Sequence, residues 1–221
     1  MESFKRCKTF SCDIYQVVVK FLSLNDLKSM SCVSKSMLET ARRELVSRTE
    51  IIVVANEIKH SFFLQLKKFS DIVYFTIYIE TLDELHWFME NKFDLYSILF
   101  GQNFNQSIES LPQNLRELIF GDRFNQPITL PPNLEMLFFG IDFNQPIEVF
   151  PQSLKTLVFD WNFNQPIGPL PPNLQTLVFD ACFDQPLGVL PPSLQALTIS
   201  SEYMFLATLQ CNYPNLKIVL I

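Results

Sequence analysis

Three sets of side chains in this sequence have types and spacing that could do chemistry. Asp160 and Asp180 stand at equivalent places of a repeated phrase, and stacked repeats would make them a carboxylate pair of the kind used for general acid and base catalysis. His86, beside Trp87, could act as a base, and an Asn-Gln pair recurs often enough to offer a row of amides to a ligand. The surroundings favour plainer roles. Acids on neighbouring turns of a solvated edge mostly repel each other mildly, and His86 reads as part of an amphipathic cap helix that also holds Leu85, Trp87, Phe88 and Met89. With 5 glycines the chain has no G-x-x-x-x-G-K-S/T or G-x-G-x-x-G loop, and neither H-E-x-x-H nor G-x-S-x-G occurs. The 5 cysteines (Cys7, Cys12, Cys32, Cys182, Cys211) show no C-x-x-C spacing and His60 is the only other histidine, so no metal site and no cofactor is expected. The sequence reads as a non-enzyme, and a carbohydrate-active solenoid ranks last among its readings.

The amides matter because of what spaces them. Asn105, Asn125, Asn144, Asn164 and Asp184 each follow a Phe and precede a Gln, and the Phe residues (Phe104, Phe124, Phe143, Phe163, Phe183) recur at intervals of 20, 19, 20 and 20. The template is F-N-Q-P-I-x-x-L-P-P-N-L-x-x-L-x-F, with a half copy from Leu95 and a fragment from Pro214 to Leu220. The end of each copy, such as Leu115 to Phe120, alternates inward and outward side chains as a strand does. Too few residues remain in each copy for a helix and two loops. Pairs such as Pro131-Pro132 and Pro171-Pro172 predict an extended, polyproline-like return path without ladder donors. The expected fold is mostly β: a thin parallel β-solenoid of 20-residue repeats, one short strand per coil, with apolar positions such as Phe163, Ile167, Leu170, Leu174, Leu177 and Phe179 turned inward. In that coil the Asn column is expected to form a structural ladder, satisfying backbone groups where the chain leaves the strand.

Variation between copies marks the outward strand positions. Glu117, Met136, Thr156, Thr176 and Ala196 form one column, and Ile119, Phe138, Val158, Val178 and Thr198 the next. Ile119, Met136, Phe138, Val158 and Val178, with Trp161 at a strand end, are the candidate partner-binding residues. An apolar stripe beside carboxylates suits a protein with an apolar centre and basic flanks, although β-branched residues also favour strands for their own sake.

These copies resemble the FNIP repeat, a leucine-rich-repeat-like module of slime moulds and giant viruses of amoebae, in the FNQPI form typical of the viral (mimivirus-type) members. The resemblance covers residues 95–221, the predicted solenoid with its C-terminal cap, with the closing cap at 201–221.

The chain before it is different in kind. Residues 1–45 contain no proline, and Ile14, Val17, Val18, Phe21 and Leu22 recur at helical spacing. Asn25 or Asp26 can cap a second helix, and Ser36-Met37-Leu38-Glu39 opens a third. The stretch Phe21 to Leu27, followed by Cys32-Val33-Ser34-Lys35, resembles the F-box, with Ser11-Cys12 where that family has Leu-Pro and Met37 where it has an aromatic. The resemblance implies a small α-helical F-box-like domain at 1–47 that docks on a Skp-type adaptor of a cullin-RING ubiquitin ligase through Leu22, Asp26, Leu27, Val33, Ser34 and Lys35. Residues 48–94 read as an N-terminal cap with degenerate repeats: strands at Ile51–Val54 and Ile72–Tyr78, and a helix opened by Thr81-Leu82-Asp83-Glu84.

Bulk properties agree with a binding protein. The formal net charge of -6, from 23 Asp and Glu against 17 Lys and Arg, argues against nucleic acid, and no apolar run approaches a membrane span. The run Val17–Leu22 is broken by Lys20 and lacks a cleavage site, and unpaired thiols predict a cytoplasmic protein. Two functions result: a substrate receptor that links a target on the solenoid to a ubiquitin ligase, or a free-standing solenoid that sequesters its partner.

Overall fold

The computed structural model describes residues 49–54 and 73–221. They form one nine-stranded parallel sheet in chain order: β1 (Thr49–Val54), β2 (Val73–Ile79), β3 (Leu95–Phe100), β4 (Glu117–Ile119), β5 (Met136–Phe138), β6 (Thr156–Val158), β7 (Thr176–Val178), β8 (Ala196–Ile199) and β9 (Lys217–Leu220). Helix α1 (Leu82–Glu90) separates β2 from β3 and α2 (Leu206–Asn212) separates β8 from β9. The fold is therefore a parallel β-solenoid. Register holds from coil to coil, with Leu118 opposite Leu137, Leu137 opposite Leu157, Leu157 opposite Leu177 and Leu177 opposite Leu197. Those five leucines point inward and are fully buried, which is what locks the register: a slip of one residue would turn each of them to solvent.

Two turns bend each coil. The first follows the strand, where the N–H of the repeat Phe donates to the carbonyl three residues back, as from Phe124 to Gly121 and from Phe163 to Asp160. The second lies at the prolines, and here the structure departs from the extended path predicted above. Leu134, Leu154, Leu174 and Leu194 donate to Pro131, Pro151, Pro171 and Pro191, so each Pro-x-x-Leu, Pro-Pro-Asn-Leu in two of the copies, is a tight turn. The second proline takes the position whose φ near -65° suits it, and its missing N–H is not needed there.

The interior is built from two files of phenylalanine. Phe100, Phe120, Phe139, Phe159 and Phe179 stack with centroids 5.1 to 5.5 Å apart. Phe104, Phe124, Phe143, Phe163 and Phe183 stack at 6.0 to 6.1 Å, and Tyr203 continues the file at 6.0 Å. Within a coil the two rings lie face to face, 3.7 Å apart for Phe139 with Phe143 and for Phe159 with Phe163. Backbones approach equally closely after the strands: a Cβ on Gly121 would sit 2.3 Å from the Gly101 carbonyl oxygen.

Both ends of the repeat region are tied down. Glu84 Oε2 accepts from the N–H groups of Glu80 and Thr81 at the start of α1, whose Leu85 and Phe88 are buried. The Leu82 N–H donates to Gln106 Oε1 and joins that helix to the first full repeat. At the other end Tyr203 Oη donates to the Gln185 carbonyl, and Tyr213 Oη accepts from the Leu190 N–H.

Candidate interaction surface

The outward strand face carries one continuous file across the sheet: Tyr78, Leu99, Ile119, Phe138, Val158, Val178, Thr198 and Val219, each opposite the next. Ile119, Met136, Phe138 and Val178 are half-buried, with their outer surfaces open. Val158 differs from its expected role, because it is only 6% exposed. Phe138 and Val178 flank it across the ladder, about 4.8 Å away on either side, so it supports the stripe and offers little surface of its own. Trp161 is not on this face. It lies in the turn beyond β6 and is 53% exposed.

The Asn column runs up the stack at exposed (Asn105) to half-buried positions. Asn105 Oδ1 accepts the Asn125 N–H at 2.9 Å, and Asn125, Asn144 and Asn164 each accept the N–H of the next coil at 3.0 Å. Asp184 Oδ1 accepts from Met204 in the same way. The same Asn oxygens also accept from Gln126, Gln145, Gln165 and Gln185 Nε2. The Asn Oδ1 atoms are thus taken up by the ladder and are not offered to a ligand. A second polar column escaped the sequence reading. Asn133 and Asn173 donate to the Gln113 and Gln152 carbonyls, and the Ser153 and Ser193 hydroxyls donate to Pro132 and Pro172. The signal was present in the N/S alternation two residues after the first proline of the turn, at Asn133, Ser153, Asn173 and Ser193.

Electrostatics divide the surface. Before the strands, Glu135 bridges Arg116 at 2.8 Å and Lys155 at 2.5 Å on the two neighbouring coils. The Lys155 hydrogen bond, more than the two positive charges at large, holds the Glu135 carboxyl below its ordinary range. Beyond the strands, burial pushes the Asp160 carboxyl up, and nearby Asp180 and Asp122 add to the rise while the Trp161 N–H opposes it. That N–H donates to Asp160 Oδ1 at 2.7 Å, and Ala181 donates to Asp180 Oδ1 at 2.6 Å. The two aspartates therefore cap their own turns. His86 is exposed on α1, and among the described residues no group of three or more His, Cys, Asp or Glu could hold a metal ion.

The repeat geometry has named counterparts. Residues 95–121, 104–142, 143–169 and 167–202 match the family model FNIP Repeat. These coils carry FNIP repeats. Among solved structures, the chain is similar to one described as the crystal structure of CroV588, a novel circular LRR protein structure. The match has 32% identity and a TM-score of 0.50, and it covers 58% of this chain but 24% of the other, so this chain spans about a quarter of that protein's length. No curated protein matches. An FNIP-repeat solenoid of leucine-rich-repeat type, with a half-open apolar strand face, is suited to protein–protein interaction. Among the described residues no helix is long and apolar enough to cross a membrane. The predicted adaptor-binding residues Leu22, Asp26, Leu27, Val33, Ser34 and Lys35 lie outside the described residues.

Proposed function

We propose that the FNIP-repeat solenoid is the target-holding part of a substrate receptor, with residues 1–47 coupling it to a Skp-type adaptor of a cytoplasmic ubiquitin ligase. The observation that carries the first half is the uninterrupted apolar file through Ile119, Phe138 and Val178 on a parallel sheet whose register is rigid. A rigid stripe presents area to a partner without an ordering cost, and Phe138 with Met136 on the same strand forms its bulkiest part. The second half is supported by the F-box resemblance at Leu22, Asp26, Leu27, Val33, Ser34 and Lys35. Function would then be proximity: a bound target stays near the ubiquitin-charged enzyme at high effective concentration.

The test is calorimetric titration of the full chain with an amoebal Skp-type adaptor, with Leu27→Asp and Val33→Asp as controls. Sub-micromolar binding lost in both variants supports the receptor. No binding by a folded chain removes the ligase and leaves a solenoid that sequesters its partner. Phe138→Ala, measured against any partner found, tests the strand face separately, and unchanged affinity would exclude it.

A further inference from the structure

The turn ridge beyond the strands differs from the strand face in chemistry. Its successive outermost residues are Asp122, Ile141, Trp161 and Ala181, and Ile141 is 39% and Trp161 53% exposed. An indole half in water forgoes burial it could have had, and the backbone that carries this one is held in place. The Asn162 N–H donates to the Ile141 carbonyl at 3.0 Å and the Cys182 N–H to the Trp161 carbonyl at 3.3 Å, so each turn is bonded to the next. The Trp161 N–H is itself engaged by Asp160. The ridge is a fixed rail that carries an aromatic plate.

Charge says what the plate would meet. Residues 73–221 hold 15 Asp and Glu against 5 Lys and Arg, whereas residues 1–72 hold 8 against 12, so the acidity of the chain is concentrated in the solenoid side. On the ridge Asp122, Asp142, Asp160, Asp180 and Glu202 face one cation, Arg123, which lies on the coil of Asp122. Asp142 accepts only a long 3.3 Å bond from Asn162 Nδ2. We propose that this ridge seats an arginine side chain of a protein partner, its guanidinium stacked on Trp161 and paired with the flanking aspartates. Arginine fits better than lysine because a planar guanidinium can lie on an indole and still offer two parallel N–H groups to a carboxylate. The upward push on Asp160 from Asp180 and Asp122 is the repulsion such a cation would relieve. A polyanion such as RNA is disfavoured by the same charges. The site extends the partner-binding reading to a second edge and does not depend on the strand face.

The test uses the full chain and fluorescein-labelled hexa-arginine, with hexa-lysine as comparison, by fluorescence anisotropy at low ionic strength. Hexa-arginine should bind several-fold more tightly than hexa-lysine. Trp161→Ala should weaken it by about 5-fold, the share expected of one exposed cation–π contact. The double variant Asp160→Asn with Asp180→Asn, which keeps both turn-capping oxygens, should weaken it comparably, and Val189→Ala, at an 87% exposed position outside the ridge and the strand face, should leave it unchanged. Far-UV circular dichroism confirms that each variant is folded. No binding of hexa-arginine, equal affinity for the two peptides, or indifference to Trp161→Ala overturns the proposal, the last two reducing it to general attraction by an acidic solenoid.

Discussion

Replacing Asn144 by Ala removes one oxygen on which two donors depend. Asn144 Oδ1 accepts the Asn164 N–H at 3.0 Å and Gln165 Nε2 at 3.2 Å, both partly buried. Each donor left without an acceptor costs about 1 to 3 kcal/mol, and partial access to water puts these at the low end, so Asn144→Ala should cost about 2 kcal/mol. For a chain of this size that lowers Tm by about 4 to 8 °C. Asn144→Asp keeps the oxygen, as Asp184 does naturally one position from the C-terminal cap, and should cost well under half as much at neutral pH. Urea unfolding followed by circular dichroism measures the difference. Because neighbouring coils of a solenoid can open separately, amide hydrogen exchange at Asn164 gives the local reading. Protection there should fall in the Ala variant and persist in the Asp variant. Equal losses in the two variants, or unchanged exchange at Asn164 in Asn144→Ala, would refute the ladder as a source of stability.

Phe159→Ala opens the middle of the fully buried aromatic file and should cost about 3 to 5 kcal/mol, read as a large drop in the urea midpoint. Gly121→Ala drives a Cβ to 2.3 Å from the Gly101 carbonyl oxygen and should destabilise strongly, whereas Gly188→Ala meets nothing within 4 Å and should stabilise by about 0.4 to 1 kcal/mol; thermal melts of the pair decide this. Glu135 has its folded pKa lowered, so its contribution is present above the unfolded value and disappears as pH falls through the folded one. With both pairs on the surface, the stability gap between the native chain and Glu135→Gln should be no more than about 1 kcal/mol at pH 7 and low salt, and should close in the acid range below the ordinary carboxylate pKa.

Much of the fold is written in spacing. Leu118, Leu137, Leu157, Leu177 and Leu197 can be assigned to the interior from the repeat alone, since a side chain that recurs once per coil beside alternating neighbours has one face to bury. The prolines were harder to read. Pro131-Pro132 permits both an extended path and a turn, because its φ suits each, and the bond from Leu134 to Pro131 that selects the turn depends on the coil closing. Helix α2 also went unread, since seven residues from Leu206 to Asn212 carry too short a pattern to distinguish from a loop. At the interaction surface the sequence marked out the apolar stripe but placed Val158 and Trp161 on equal terms with Phe138.

Period, strand position and the inward leucines were determined by the sequence itself, because they follow from residue type at fixed intervals and need no knowledge of distance. Which outward residues reach solvent was decided by the tertiary structure. Val158 is covered because Phe138 and Val178 stand one strand away on either side, and Trp161 is exposed because its turn lies beyond the strands. Burial is a property of neighbours in space, and in a solenoid those neighbours lie about twenty residues away along the chain.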